Sequence, residues 1–570
     1  MNNIFIQLAV ILTLSSALGF IAYKFKLPLL IAYLLGGLIL AYSAVFDVGT
    51  SEVLHFFPEI GIAFMLFLVG MELDLREIKA LGKPILVASF FQIFITTVLG
   101  SIIAKYLGFG SVESWYLGAG LAFSSTVVVV KLLLDKKEST SLYGKLSLGI
   151  LLLEDLLAVM ILLFLTVTPS SFGLGYQQFY PTATLIIKII LLFGIGILLN
   201  RFVLPKIFRA VAESGELLFL TSLAWCFIYV SLALILGFSV LIGAFLAGVS
   251  LASSVYHFRI QGKVKPLRDF FVTLFFVYLG TQVNFLEVGR ALPLIIAFVA
   301  YALFCKPLII LLALGIFGFR KHTMFQTAIN LSQISEFSLI LLLVGAQKGL
   351  VSSTALTAIA LTGVISMIIS SVLVTHTKKL YKKLNKLLGF FERKNYNHFL
   401  EVGKTEKLTG HVVIIGSHRI GGEVVKLLKK QGIAQIVLDF NPHIVQSLLK
   451  MHVPVVYGDL GDPEVLDALD LKDARMVIST SPSFDGNRLL LEELKTRKIN
   501  IPAIIRASTT KQADELYKRG ADLAVIPEIL AGDYLLQRLK DYLSGNRFQE
   551  RIRIERKKHS HKTFFEDKKE

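Results

Sequence analysis

Over its first 377 residues the chain carries run after run of about 18–25 apolar residues, separated by short polar stretches. A run of that length lets an α-helix cross the hydrocarbon core of a bilayer. In lipid, only helices and closed barrels satisfy every backbone N–H and C=O internally. Of all the features of the sequence, this one restricts the fold most. A hydrophobic fraction of 54% over 570 residues agrees with it, since a soluble chain of that size needs far fewer apolar residues. From about residue 410 onward the pattern becomes that of an ordinary soluble domain.

The runs predict thirteen spans, at about 3–23, 27–44, 54–71, 84–104, 115–134, 145–168, 182–204, 216–236, 238–255, 268–283, 291–317, 323–347 and 352–377. Lys and Arg crowd the loops after odd-numbered spans, while the loops after even-numbered spans carry only Lys105, Arg290 and Lys348. The basic side is cytoplasmic, so the N-terminus is expected outside and the C-terminal domain in the cytoplasm of a multi-pass protein of the plasma or inner membrane. The start of the chain lacks a basic leader and a small-residue cleavage site and reads as a retained first span. A net charge of +17 raises the question of nucleic acid, but much of the Lys and Arg flanks the apolar runs or sits in the tail, which argues against such a partner. Cys226 and Cys305 both fall inside apolar runs and point to neither a disulfide framework nor a metal site.

An odd span count permits two six-helix halves joined by a linker helix, so that helix n and helix n+7 run in opposite directions, as in an inverted repeat. Span 5 contains AFSSTVVVV, with Ser124, Ser125 and Thr126, and span 12 contains NLSQISEFS, with Gln333 and Glu336. Hydroxyls in one helix can simply bond back to their own backbone. Two polar interruptions at matching repeat positions point instead to a midplane binding site.

Ionisable side chains fall inside these runs as well. Glu154 and Asp155 interrupt LLLEDLLAVMILL in span 6, Lys306 lies in span 11 and Glu336 in span 12. A charge at the bilayer centre costs about 2.5–3.5 kcal/mol on insertion scales, so such residues mark function or a paired structural role. Neighbours on a helix point about 100° apart, so Glu154 and Asp155 do different jobs. Glu154 is expected to pair with Lys306, and Asp155 to face a transport cavity. Pro307 is expected to perturb helix 11 and free backbone carbonyls. A carboxylate starved of water takes up a proton more readily, and it can instead hold a small monovalent cation helped by hydroxyls and carbonyls. If only loaded sites cross, one such group makes an obligate exchanger.

With these residues in place the chain resembles the monovalent cation:proton antiporter-2 family, which includes Kef-type potassium efflux systems. The resemblance rests on FLVGMELDLREI, AFSSTVVVVKLLLD, LSLGILLLEDLLAV, GAFLAGVSLASS, FFVYLGTQVNF and NLSQISEF in family order, and it runs to about residue 540. It implies a homodimer, with spans 1–3 and 8–10 for dimerisation and a mobile core of spans 4–6 and 11–13. It also implies that Asp155 is the essential carboxylate, Lys306 the lysine of span 11, and Gln333 and Glu336 polar positions of a broken, crossed helix. Two departures stand out. Glu154 occupies the place where Kef-type members usually have Gln and electrogenic sodium exchangers have Asp, which leaves K+ against Na+ and the charge stoichiometry open. The loop VYHFRIQGKVKPLRD is basic where Kef-type proteins carry an acidic stretch.

Residues 378–409 form a basic amphipathic linker, 410–540 an α/β unit and 541–570 a charged, disordered tail whose His559 and His561 read as solvated. Strands at about 434–440, 454–458, 475–480, 503–507 and 523–527 follow HVVIIG and alternate with helical patterns, the signature of a doubly wound sheet. The turn GSHRIG resembles G-x-G-x-x-G with His418 and Arg419 in its middle, and Asp439 stands 23 residues after Gly416 in the place that suits ribose hydroxyls. A ligand-free dimerisation domain is the other reading. The segment resembles the RCK (TrkA-N) regulatory domains, which implies an adenine nucleotide, AMP or NAD(H), held by Gly416, Gly421, Asp439, Asp459 and Arg506. The expected architecture is therefore an all-α polytopic membrane domain with broken crossed helices plus a cytoplasmic Rossmann-like domain. The expected function is nucleotide-regulated exchange of K+ or Na+ for H+. A nucleotide-gated potassium channel is the alternative, although no TVGYG-like filter appears. No cysteine cluster or haem-ligand pair supports an oxidoreductase.

Overall fold

The computed structural model describes residues 4–25, 27–43, 52–72, 82–136, 141–167, 201–252, 256–391, 408–461 and 465–543, with scattered positions between 138 and 199 and at 254. The expected span at 182–204, the signature residues 73–78, much of the linker and the charged tail lie wholly or mostly outside the described residues. The chain divides into two units. The first comprises Met1–Leu132, Leu146–Phe317 and Met324–Leu387, and the second Leu133–Lys145, Gly318–Thr323 and Leu388–Glu570.

The helices of the first part of the chain are α1 (Ile4–Lys24), α2 (Leu29–Ser43), α3 (Glu52–Glu72), α4 (Gly82–Tyr106), α5 (Ser111–Ala122), α6 (Thr126–Asp135), α7 (Leu142–Val167), α8 (Leu204–Val211) and α9 (Gly215–Ile235). They continue with α10 (Val240–Ala252), α11 (His257–Thr281), α12 (Phe285–Ala300), α13 (Lys306–Ile316), α14 (Lys321–Asn330), α15 (Glu336–Gln347), α16 (Ser353–Thr375) and α17 (Thr377–Leu388). Among the described residues seven helical stretches are long and apolar enough to cross a membrane, and four shorter apolar helices accompany them. The chain is thus a multi-pass membrane protein.

Packing sorts these helices into two groups: α1–α3 lie with α9–α11, and α4 and α5 with α12, α13, α15 and α16. Small residues allow the closest crossings. A Cβ on Gly37 of α2 would collide with the Val277 carbonyl oxygen of α11, and one on Gly280 with the Leu34 carbonyl oxygen. Close backbone approach of this kind drives helix association where water supplies no hydrophobic force. Gly280→Val is therefore expected to lower the melting temperature of the detergent-solubilised protein well below that of wild type. By contrast, Gly289→Ala, at a position with open space, should leave it unchanged.

Two helices are broken in mid-course. The chain between α5 and α6 goes extended at Phe123 (φ −82°, ψ 144°), and that between α14 and α15 unwinds over residues 331–335. These are the two polar interruptions read from the sequence. A third irregularity is a π-helical turn at Tyr301–Cys305, immediately before Lys306 and Pro307. Pro307 has no N–H to offer the helical ladder, and such turns concentrate at functional places.

In the second unit, β1 (His411–Ile415), β2 (Gln435–Asp439), β3 (Val455–Tyr457), β4 (Ala474–Ser479), β5 (Ala503–Arg506) and β6 (Leu523–Val525) form one parallel sheet in the order β3-β2-β1-β4-β5-β6. Helices α18 (Arg419–Lys430), α19 (Pro442–Lys450), α20 (Phe484–Thr496), α21 (Thr510–Lys518) and α22 (Pro527–Leu543) connect or follow the strands. All five residues of β1 and of β2 are buried, as parallel strands covered on both faces must be. The strand order reverses between β1 and β4, and that switch point is where such sheets bind ligands.

Candidate functional site

The two helix breaks in the first unit meet. The Ser124 hydroxyl donates to the Leu331 carbonyl (3.2 Å), so the interrupted backbones face one another. Breaking a helix in a membrane frees N–H and C=O groups that cost several kcal/mol each if left alone. Here each freed group described below has a partner. Gln92 Nε2 donates to the Ala122 carbonyl (2.9 Å), and the Ser124 N–H donates to Glu154 Oε2 (2.6 Å). The Lys306 ammonium donates to the Gln333 carbonyl (3.2 Å), and the Ile334 N–H donates to Ser366 Oγ (3.4 Å).

Within this knot the acidic side chains take up different positions. Glu154 is fully buried, and so is Lys306. Among the described residues no salt bridge joins these two expected partners; they lie close enough to feel each other's charge, and the hydrogen bonds of each go to the broken backbones: Glu154 accepts from Ser124, and Lys306 donates to Gln333. Asp155 is half-buried, and its Oδ2 accepts the Thr126 hydroxyl at 2.7 Å. Glu336 opens α15, where the helix dipole favours an anion, and its Oε2 accepts the Ser125 hydroxyl at 3.0 Å and the Ser335 hydroxyl at 3.4 Å. Gln333 Oε1 is buried with no hydrogen-bond partner among the described residues. Such an oxygen is free to coordinate a cation. Ser124, Ser125, Thr126, Glu154, Asp155, Lys306, Gln333 and Glu336 thus fall in one connected cluster.

Sequence reasoning missed three supports of that cluster. Gln92 caps the end of α5, Ser366 accepts from the second break, and Asn330 Nδ2 donates to Ser147 Oγ (3.1 Å). An amide in the apolar stretch SFFQIFITT was the available signal for Gln92; Ser366 gave none.

In the second unit a cavity of about 530 Å³ opens at the β1/β4 switch point. Gly416, His418, Arg419, Asp439, Asp459 and Arg506 line it. Gly416 has φ +80°, and a Cβ on Gly421 would collide with the Gly416 carbonyl oxygen, so both positions require glycine. His418 is exposed and stands just ahead of α18. Asp439 accepts the Ser417 N–H (2.7 Å) and the Asn441 N–H (2.9 Å), which hold its carboxylate at the end of β2. Burial nevertheless pushes the Asp439 carboxyl above the usual carboxylate range, with those N–H groups opposing the shift. Ser417 Oγ and Arg506 Nε are buried without hydrogen-bond partners among the described residues, a donor set that suits a polar ligand.

The family model described as sodium/hydrogen exchanger, transmembrane, matches residues 9–379, and that described as the TrkA-N domain matches residues 412–527. The chain is 27% identical over 541 residues to the KefB protein of Alkalimonas amylolytica, covering 94% of this chain and 81% of that one. To the glutathione-regulated potassium-efflux system protein KefC of Klebsiella pneumoniae subsp. pneumoniae it is 25% identical over 523 residues, covering 90% and 80%. A solved sodium proton antiporter, MjNhaP1 of Methanocaldococcus jannaschii, is 17% identical with a TM-score of 0.48, covering 68% of this chain and 98% of that one.

Proposed function

The chain belongs to the sodium/hydrogen exchanger family, with a TrkA-N domain after the membrane part, and on that premise we propose that it exchanges K+ or Na+ for H+ by alternating access, with Asp155 as the group that the two ions share in turn. The observation that carries this reading is the setting of Asp155. It alone of the adjacent acidic pair is partly open, it meets Thr126 at the first residue of a half-helix, and the two broken helices face each other beside it. Glu154 and Lys306 form the fixed charge frame. Gln333, Glu336 and the hydroxyls of Ser124, Ser125 and Thr126 supply neutral and anionic oxygens to a desolvated cation. The charge asymmetry of the loops supports an external N-terminus and a cytoplasmic TrkA-N domain, and the helix grouping supports a homodimer in which one group moves against the other.

The test is a proteoliposome with a trapped pH dye. An imposed K+, Na+ or Li+ gradient is expected to drive protons the opposite way for at least one cation. Cation flux with no coupled proton movement would contradict exchange.

For the second unit we propose regulation by an adenine nucleotide, AMP or NAD(H), seated between the Gly416–Gly421 turn and Asp439. A cavity of about 530 Å³ is within the size range of small-ligand sites. Ribose hydroxyls need the Asp439 anion as acceptor, and Asp439 protonates at higher pH than an ordinary carboxylate near ~3.9. Protonation removes the acceptor, so nucleotide affinity measured by calorimetry is expected to fall as pH is lowered from neutral through that elevated value. Asp439→Asn should flatten the dependence. The linkage to folding runs the other way: an acid whose folded-state value is raised adds stability at low pH and loses it as pH rises.

A further inference from the structure

After α16 the chain turns directly into α17, whose sequence TKKLYKKLNKLL holds five lysines and no acidic residue. Only His376 separates it from α16, one of the long apolar helices, and the Thr377 hydroxyl donates back to the Leu373 carbonyl (3.1 Å). The two faces of α17 are unlike. Thr377 and Tyr381 are buried, and the Tyr381 ring centroid lies 6.0 Å from that of Phe325 in α14, the helix that leads into the second break. Lys379, Lys382, Lys383 and Lys386 stand at i, i+3, i+4 and i+7, so they share a face turned away from Tyr381, and all four are exposed. Leu387, at i+8 of the same series, is an apolar side chain 70% exposed beside those charges.

We propose that this face of α17 lies on the cytoplasmic surface of the bilayer and binds the headgroups of anionic phospholipids, with Leu387 seated among the acyl chains. The inference uses the topology proposed above and is independent of exchange and of nucleotide binding. A helix that starts two residues past the end of a span starts at the headgroup level, and the Tyr381–Phe325 contact holds it against the membrane part. Lysine carries its ammonium on a long apolar stem, which suits a place between phosphate and hydrocarbon. In water Leu387 would be an uncovered apolar group among like charges. On an anionic leaflet phosphates oppose the four ammonium groups and hydrocarbon covers the leucine, the pairing that seats amphipathic helices in an interface. An acidic protein would match the charge, but neither the place at the end of a span nor the exposed Leu387.

The test reads the depth of Leu387 in the full-length protein in nanodiscs. Cys305, an exposed native thiol, is replaced by Ala, Cys226 is buried and stays, and Leu387→Cys takes a nitroxide label. The ratio of its collisions with oxygen, which dissolves in the bilayer, to those with a water-soluble nickel chelate measures depth. With a third of the lipid as phosphatidylglycerol the label is expected to read bilayer depth. In phosphatidylcholine alone, or in molar salt, the ratio should fall by about fivefold or more, since each lysine near an anionic leaflet strengthens attachment by about that factor and salt screens it. The variant with Lys379, Lys382, Lys383 and Lys386 all changed to Gln should give the low ratio in both lipids. These side chains are exposed and Gln suits a helix as well as Lys does, so that variant folds as the parent does. A parent label equally open to the chelate in both lipids would overturn the inference and point to an acidic protein or to water as the neighbour. A label equally deep with and without the four lysines would overturn it as well, because apolar seating alone would then hold the helix.

Discussion

Asp155→Asn is expected to reduce cation-driven proton movement in proteoliposomes to the level of protein-free vesicles. The substitution preserves shape, and the amide oxygen can still accept the Thr126 hydroxyl that Asp155 Oδ2 accepts now. It removes the negative charge that a cation needs in a desolvated place and the group that carries the proton. Packing hardly changes, so the melting temperature should stay that of wild type, which separates lost chemistry from lost fold. Glu154→Gln makes the informative contrast. Glu154 is sealed and committed to the Ser124 N–H, so its loss should damage stability before it abolishes exchange outright.

Lys306→Met should be the most destabilising single change in the membrane part. The ammonium is fully buried, donates to the Gln333 carbonyl and compensates the Glu154 carboxylate. Taking it away leaves a carboxylate and a carbonyl uncompensated in a medium without water. Breaking a buried charge pair by removing one partner costs about 3–5 kcal/mol, whereas replacing both partners is often close to neutral. The pair Lys306→Met/Glu154→Gln is therefore expected to recover much of the stability lost by Lys306→Met alone, as read by denaturant or thermal unfolding in detergent. A double variant as unstable as the sum of the two singles would mean that the charges act independently.

Much of the architecture was legible because it is written in periodicity and charge. The polar breaks at Ser124–Thr126 and around Gln333 stood out against apolar runs, and the structure breaks both helices there. Strand positions in the α/β unit were equally visible, since five buried residues in a row between turn signals, as in β1 and β2, leave little choice of element. The expected thirteen spans were less securely written. Four of the described apolar helices are short, Glu336–Gln347 because it starts at a break, and the seventh run lies largely outside the described residues. Contacts between distant residues could not be read at all. Nothing in the sequence ties Gln92 to the Ala122 carbonyl, Ser366 to Ile334, or Asp459 to Leu142; each is one polar atom whose partner is fixed only by the fold. Residue type suggested pairing Glu154 with Lys306, but not that the hydrogen bonds of each go to the interrupted backbones.

Sharing of Asp155 between a proton and a metal ion is tested most directly by the pH dependence of the apparent KM for the transported cation, measured over a range of cation concentrations in proteoliposomes. Competition for one carboxylate makes protons raise that KM by about tenfold for each pH unit below the site's own titration point, with the maximal rate at saturating cation unchanged. A KM that stays constant while the maximal rate falls with acidification would place the two ions on separate groups and contradict a shared Asp155.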